Sequence, residues 1–137
     1  MSYSLAFEKI IKYDIGKSGI TVPTRLKLGD TVLDVEAKLD CGSSFCVFER
    51  QYGIELGLDI ERGHRQRIGT ATGFFIAYGH GVTLSVQEYD FDVIAYFAED
   101  EAITRNVLGR HGFLDRVQLC LIDYIGELYL SRFGDHS

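Results

Sequence analysis

A single proline, Pro23, stands in 137 residues, and no Pro-, Gly- or Ser-rich stretch interrupts the chain, so no internal boundary is expected. Residues 1–137 therefore read as one domain, large enough for a sizeable core. The sequence also lacks an apolar run long enough to span a bilayer. Met1-Ser2-Tyr3 leads into charged residues rather than a signal-peptide core, which argues against export and against a membrane role. Basic residues are in the minority: 14 Lys and Arg against 20 Asp and Glu give a formal net charge of -6. A surface of that sign does not invite nucleic acid or anionic lipid. Cysteine is scarce and odd in number. Cys41, Cys46 and Cys120 sit in apolar contexts, which points to a reducing cytoplasm and not to a disulfide framework. Cys41 and Cys46 could be drawn with His64, His80, His111 or His136 as a zinc site, but no compact ligand pair repeats. Neither a metal nor a cofactor is expected.

What the chain does contain is alternation. Thr24, Leu26 and Leu28 alternate into Gly29-Asp30, a Gly-first pair that suits a two-residue hairpin, and a strand over Thr31 to Leu39 returns. On that return Leu33, Val35, Ala37 and Leu39 share one face, while Asp34, Glu36, Lys38 and Asp40 share the other. Phe48, Tyr52 and Leu56 at four-residue spacing predict a short helix stopped near Gly57. Gln66 to Ile68 and Phe74 to Tyr78 flank a tip of small residues, Gly69-Thr70-Ala71-Thr72-Gly73, which reads as a mobile, glycine-hinged hairpin with Phe74 and Phe75 packing on its faces. Val82, Leu84 and Val86, then Phe91, Val93, Ala95 and Phe97, predict two strands across a turn near Glu88-Tyr89-Asp90. Glu99-Asp100-Glu101 reads as a solvated loop, Asn106 to Asp115 as a second short helix, and Val117 to Ile122 and Glu127 to Arg132 as closing strands. The expected fold class is all-β: a small, partly closed barrel with one or two short helices. Residues 1–21 are expected to form an N-terminal extension or an extra strand.

Asp40 is the residue with the clearest chemical potential. An alternating strand delivers its carboxylate into Cys41-Gly42-Ser43-Ser44, where Gly42 permits a sharp reversal and the serines supply hydroxyls that hydrogen-bond carboxylates. Asp14-Ile15-Gly16 imitates this turn, but Lys17 follows and too little chain separates it from Asp40 to build a second lobe, so a loop is expected. Gly16-Lys17-Ser18 imitates the end of a phosphate-binding loop, but Ile11 stands where the required glycine should be.

Three segments in order resemble the retropepsin-like aspartic proteases, single-lobe enzymes that act as dimers. Asp40-Cys41-Gly42-Ser43-Ser44 looks like the family's acid turn. Ile68-Gly69-Thr70-Ala71-Thr72-Gly73-Phe74 is similar to its glycine-rich flap, and Val107-Leu108-Gly109-Arg110 to the apolar-apolar-Gly-Arg segment behind the active-site loop. The resemblance covers roughly residues 22–133. It implies an aspartic endopeptidase in which Asp40 of each subunit meets its copy across the two-fold axis of a homodimer. One ionised carboxylate takes a proton from water while a protonated partner bonds the scissile carbonyl, and two carboxyls that close share a proton.

The same resemblance implies that Cys41, Gly42, Ser43, Ser44 and Arg110 support the active-site loop. It implies that Gly69, Thr70, Ala71, Thr72 and Gly73 meet a peptide or protein substrate through backbone groups. A Ser43 hydroxyl donating to the ionised dyad would shift the pH optimum toward acid. Two positions depart from the pattern. Cys41 replaces the usual threonine or serine, and Ser44 stands where retroviral members carry the aspartate that pairs the arginine. Glu127 to Arg132 corresponds only loosely to the family's terminal dimer strand. The alternative reading is a catalytically inactive dimerisation or peptide-binding module on the same scaffold. A third is a β-barrel component of an assembly with no peptide cleft.

Overall fold

The structure is a computed structural model describing residues 1–133, so His136 lies outside the described residues. Strand β2 (Thr21–Leu28) and strand β3 (Thr31–Leu39) form the expected hairpin, with Leu28 opposite Thr31 and Gly29 at φ +59° in the turn. A left-handed φ there favours glycine, and the two-residue loop fixes the register. In β3 the alternation holds: Val35 and Ala37 are buried while Asp34, Glu36 and Lys38 face solvent.

Strand β4 (Val47–Phe48) and helix α1 (Arg50–Glu55) come next, and α1 ends before Gly57 as expected, although Phe48 itself belongs to the strand. Strands β5 (His64–Thr70) and β6 (Gly73–Val86) form the proposed flap hairpin. The pairing runs through Gly69↔Phe74 and Thr70↔Gly73, so the tip is only Ala71-Thr72 and both glycines lie in paired strand. Neither has the positive φ of a glycine hinge, which corrects the hinged-tip expectation. Strand β7 (Tyr89–Ala98) follows a turn at Gln87-Glu88, one step earlier than predicted; both residues hold positive φ, 49° and 70°. Tyr89 and Asp90 pair within the ladder.

The predicted helix over Asn106 to Asp115 is absent. In its place stand a two-residue strand β8 (Val107–Leu108) and a 3-10 turn at Leu114–Arg116. The reason is tertiary: β8 lies between β3 and β4, parallel to the first and antiparallel to the second, and that capture overrides local preference. Strands β9 (Val117–Ile122) and β10 (Glu127–Arg132) complete the chain.

The fold is all-β. One sheet runs β2-β3-β8-β4-β7-β6-β5, and β2 also pairs β6 through Leu26↔Leu84, which bends the sheet into a partly closed barrel. Strand β5 hangs outside the ring and, among the described residues, pairs only with β6. A second sheet, β1-β10-β9, uses β1 (Lys9–Lys12), so part of residues 1–21 supplies an extra strand. Both edges of β10 are thereby occupied by strands of its own chain. Val22, Leu26, Phe48, Leu84, Phe97, Leu108 and Phe113 fill the barrel, and Leu128 and Leu130 of the second sheet join the same core. Each such side chain contributes about 1.5–3 kcal/mol by leaving water. A smaller cluster of Val47, Ile68, Ala77, Tyr96 and Val107 lies apart from it, with Phe45 and Phe75 packed against it. No helix among the described residues is long and apolar enough to cross a membrane.

Candidate active site at the acid turn

The half-buried Asp40 leaves β3 into a turn closed by its own atoms. The Gly42 N–H donates to Asp40 Oδ1 at 2.9 Å, and the Ser43 N–H donates to the Asp40 carbonyl at 3.1 Å. This holds the carboxylate over the turn, as the small Gly42 allows.

The turn around Asp14 has the same local wiring. Gly16 N–H donates to Asp14 Oδ1 at 2.8 Å, and Lys17 N–H to the Asp14 carbonyl at 3.2 Å. What separates the two is the support behind them. The Asp40 N–H donates to the Leu108 carbonyl at 3.0 Å, Arg110 N–H to the Ser43 carbonyl at 2.9 Å, and His111 N–H to the Ser44 carbonyl at 2.9 Å. The segment 107–111 thus threads between the two arms of the acid turn and satisfies the backbone groups of both. Gly109 makes this possible. A Cβ at this position would lie 2.3 Å from the Phe45 carbonyl oxygen and 2.7 Å from that of Ser43, closer than any real side chain comes. Asp14 sits in an exposed loop that is anchored one residue earlier, where the Tyr13 N–H donates to the Gly126 carbonyl at 2.9 Å, but among the described residues no segment bonds to both arms of its turn.

Cys46 supports the same segment from the core side. Its fully buried Sγ accepts the Gly109 N–H at 3.4 Å, and burial pushes the thiol up to about 11, partly opposed by that hydrogen bond. The thiol is therefore neutral and inert, whereas Cys41 is exposed at the turn; all three cysteines are free.

Two expected roles change. The half-buried Ser43 hydroxyl donates to the Phe45 carbonyl at 2.7 Å, because the turn brings that acceptor within reach; it staples the turn and does not bond the Asp40 carboxylate. Arg110 supports the loop through its backbone N–H, and its exposed side chain makes no ion pair among the described residues. The Cys41, Gly42 and Ser44 side of the turn is open to solvent.

The flap-like hairpin reaches the same neighbourhood. Phe75 turns inward onto the smaller apolar cluster, which also holds Val47 and Val107 from the strands around the acid turn, while Phe74 is exposed beneath the Arg67 guanidinium at 4.0 Å. Phe45 packs against Tyr96 with ring centroids 4.8 Å apart and planes tilted by 52°. Gly69, Thr70, Ala71, Thr72 and Gly73 form the free end of this hairpin. A cleft of about 410 Å³ borders Asp40 and is lined by Lys38, Leu39, Thr104, Arg105 and Val107 among others. The Arg105 guanidinium lies 5.7 Å from the Phe75 ring centroid, so one residue lining this cleft also touches the hairpin. Lys38 and Arg105 lie outside the motifs that mark this site in the sequence. Lys38 was visible as sharing a face with Asp40, while Arg105 carries no motif.

No protein-family model matches the chain, and no curated protein matches it significantly.

Proposed function

We propose that the protein is an aspartic endopeptidase that hydrolyses peptide bonds as a homodimer, one Asp40 from each subunit forming the dyad. The observation that carries this reading is the brace. A half-buried carboxylate sits on a turn whose two arms are held apart by a threaded Gly109 segment, facing a cleft that a two-stranded hairpin adjoins. Such rigidity is what a proton-sharing pair requires, since two carboxyls must be held close against their mutual repulsion. The free edges of β1, β9 and β5 are available for pairing between subunits or with an extended substrate. The chemistry needs neither metal nor cofactor, and free thiols with an acidic charge balance fit a cytoplasmic protein that binds neither nucleic acid nor membrane.

Water held between the carboxyls gives its proton to the ionised one as it attacks the scissile carbonyl. The protonated partner bonds the developing oxyanion, then the pair returns a proton to the leaving amine. The exposed Cys41 favours a second reading, a peptide-binding module without catalysis, because a thiol is a weaker hydrogen-bond partner than the hydroxyl the resemblance calls for. Digestion of a peptide library at about pH 4 to 6 tests the proposal, as the range in which a carboxyl pair is half-protonated. Wild type should cleave and Asp40→Asn should not, and a pepstatin-type inhibitor should raise the wild-type melting temperature. Peptide binding without cleavage by wild type would favour the module instead.

A further inference from the structure

Asp40 shares its cleft with two cations, Lys38 and Arg105. Lys38 lies near the end of β3, two residues and about 7 Å of extended chain before Asp40. Arg105 enters from the segment leading into β8 and reaches over Phe75 of the hairpin. Neither forms an ion pair among the described residues, although the chain is acidic overall and seven other pairs form, Arg50 with Glu61 and Arg25 with Asp34 among them. Glu36 also lines the cleft, two residues before Lys38 on the same exposed face and about 7 Å from it, so Lys38 stands between two carboxylates, pairing with neither, and Arg105 is the cation of the cleft with no carboxylate beside it in the lining.

Arg105 is half-buried, and its guanidinium is placed by the Phe75 face, so fewer of its conformations are lost when it engages a ligand. The apolar pair Leu39 and Val107 lines the same cleft. A peptide entering the cleft beside the acid turn therefore meets the Arg105 guanidinium and the Lys38 ammonium together with the apolar Leu39 and Val107.

We infer that Arg105, with Lys38, selects peptides carrying an acidic side chain beside the scissile bond. The inference rests on the proposed peptidase reading for the word scissile, while the binding preference itself does not need catalysis. A carboxylate of the peptide takes charge-assisted hydrogen bonds from the guanidinium fork and from the ammonium, whereas a neutral amide of the same shape takes weaker ones. A basic side chain there is repelled by both.

The test uses the full-length Asp40→Asn protein and fluorescein-labelled decapeptide mixtures, random except for one central residue fixed as Glu, Gln or Lys. Fluorescence anisotropy should rank them Glu, then Gln, then Lys, with the Glu set bound about tenfold more tightly than the Gln set, as one charge-assisted contact provides. Arg105→Gln should remove most of that preference, and Lys38→Gln part of it, because the Glu set loses more affinity than the Gln set. Equal affinity for the three sets, no binding of any set, or a Glu preference that survives Arg105→Gln with Lys38→Gln overturns the inference. The peptidase reading is scored separately, on cleavage by wild type. A wild type that cleaves without acidic preference sinks only the inference, and one that prefers acidic peptides without cleaving sinks only the peptidase reading.

Discussion

Replacing Gly109 by alanine is the most informative small perturbation of this fold. The added methyl would stand 2.3 Å from the Phe45 carbonyl oxygen and 2.7 Å from that of Ser43, where real side chains keep at least 3.0 Å. The Phe45 carbonyl must therefore retreat by about 0.7 Å. These are backbone atoms, so no rotamer change relieves the contact. The retreat pulls on the Arg110 to Ser43 and His111 to Ser44 hydrogen bonds, both 2.9 Å, and on the 2.7 Å bond from the Ser43 hydroxyl. Losing two of them at about 1 kcal/mol each, with about 1 kcal/mol of residual strain, gives a destabilisation of about 3 kcal/mol. For 137 residues the unfolding entropy is about 0.3 kcal/mol/K, so the melting temperature should fall by about 10 °C. Gly69→Ala and Gly73→Ala are the controls. They meet no atom within 4 Å and hold no positive φ, so each should leave stability unchanged or raise it by up to about 1 kcal/mol. Urea unfolding of the three variants at neutral pH reads the difference directly. A Gly109→Ala protein as stable as wild type would refute the brace, and with it the reason for singling out Asp40 over Asp14.

Three further outcomes follow from particular contacts. Ser43→Ala should lower stability by about 1 kcal/mol through the lost Phe45 bond yet leave the acid limb of the peptidase pH profile in place; a shifted limb would restore the hydroxyl to the carboxylate. Cys46 is neutral in the fold up to about 11 but ionises near 9 in the unfolded chain, so its contribution is intact below pH 9 and is lost as pH rises toward 11. Wild type should lose up to about 2–3 kcal/mol more over that range than Cys46→Ala, and parallel pH-stability curves would contradict this. Gln87-Glu88 holds two positive φ angles without glycine or asparagine, so Asn-Gly at 87–88 should stabilise by about 1 kcal/mol in thermal unfolding, and a lower melting temperature would mean that side-chain contacts such as the exposed Glu88 pair with Lys9 outweigh the relief of backbone strain.

The parts legible in the sequence are those fixed by near neighbours. Leu28-Gly29-Asp30-Thr31 shows its hairpin because a two-residue loop with a leading glycine sets register by itself, and the alternation of β3 states which side is buried. Tyr52 to Gly57 likewise shows α1 and its end. Asn106 to Asp115 was misread because its conformation is imposed by strands far away in the chain; Val107 and Leu108 are equally good in a helix until β3 and β4 capture them. The Gln87-Glu88 turn was placed late because neither residue carries turn chemistry. At the candidate site, Asp40 and the glycines were visible as a motif. The partners of Ser43 and the place of Arg105 were not, since both depend on which backbone carbonyl or ring a folded chain brings within reach.

The shared dyad is tested most directly by mixing wild-type and Asp40→Asn subunits at fixed total concentration, allowing exchange, and measuring peptide cleavage against the wild-type fraction. If each active site draws one Asp40 from each of two subunits, activity follows the square of that fraction and falls to about one quarter in an equal mixture. A straight line, with half the activity remaining, would place the active site within a single chain. Cleavage that does not depend on Asp40 at all would contradict the account outright.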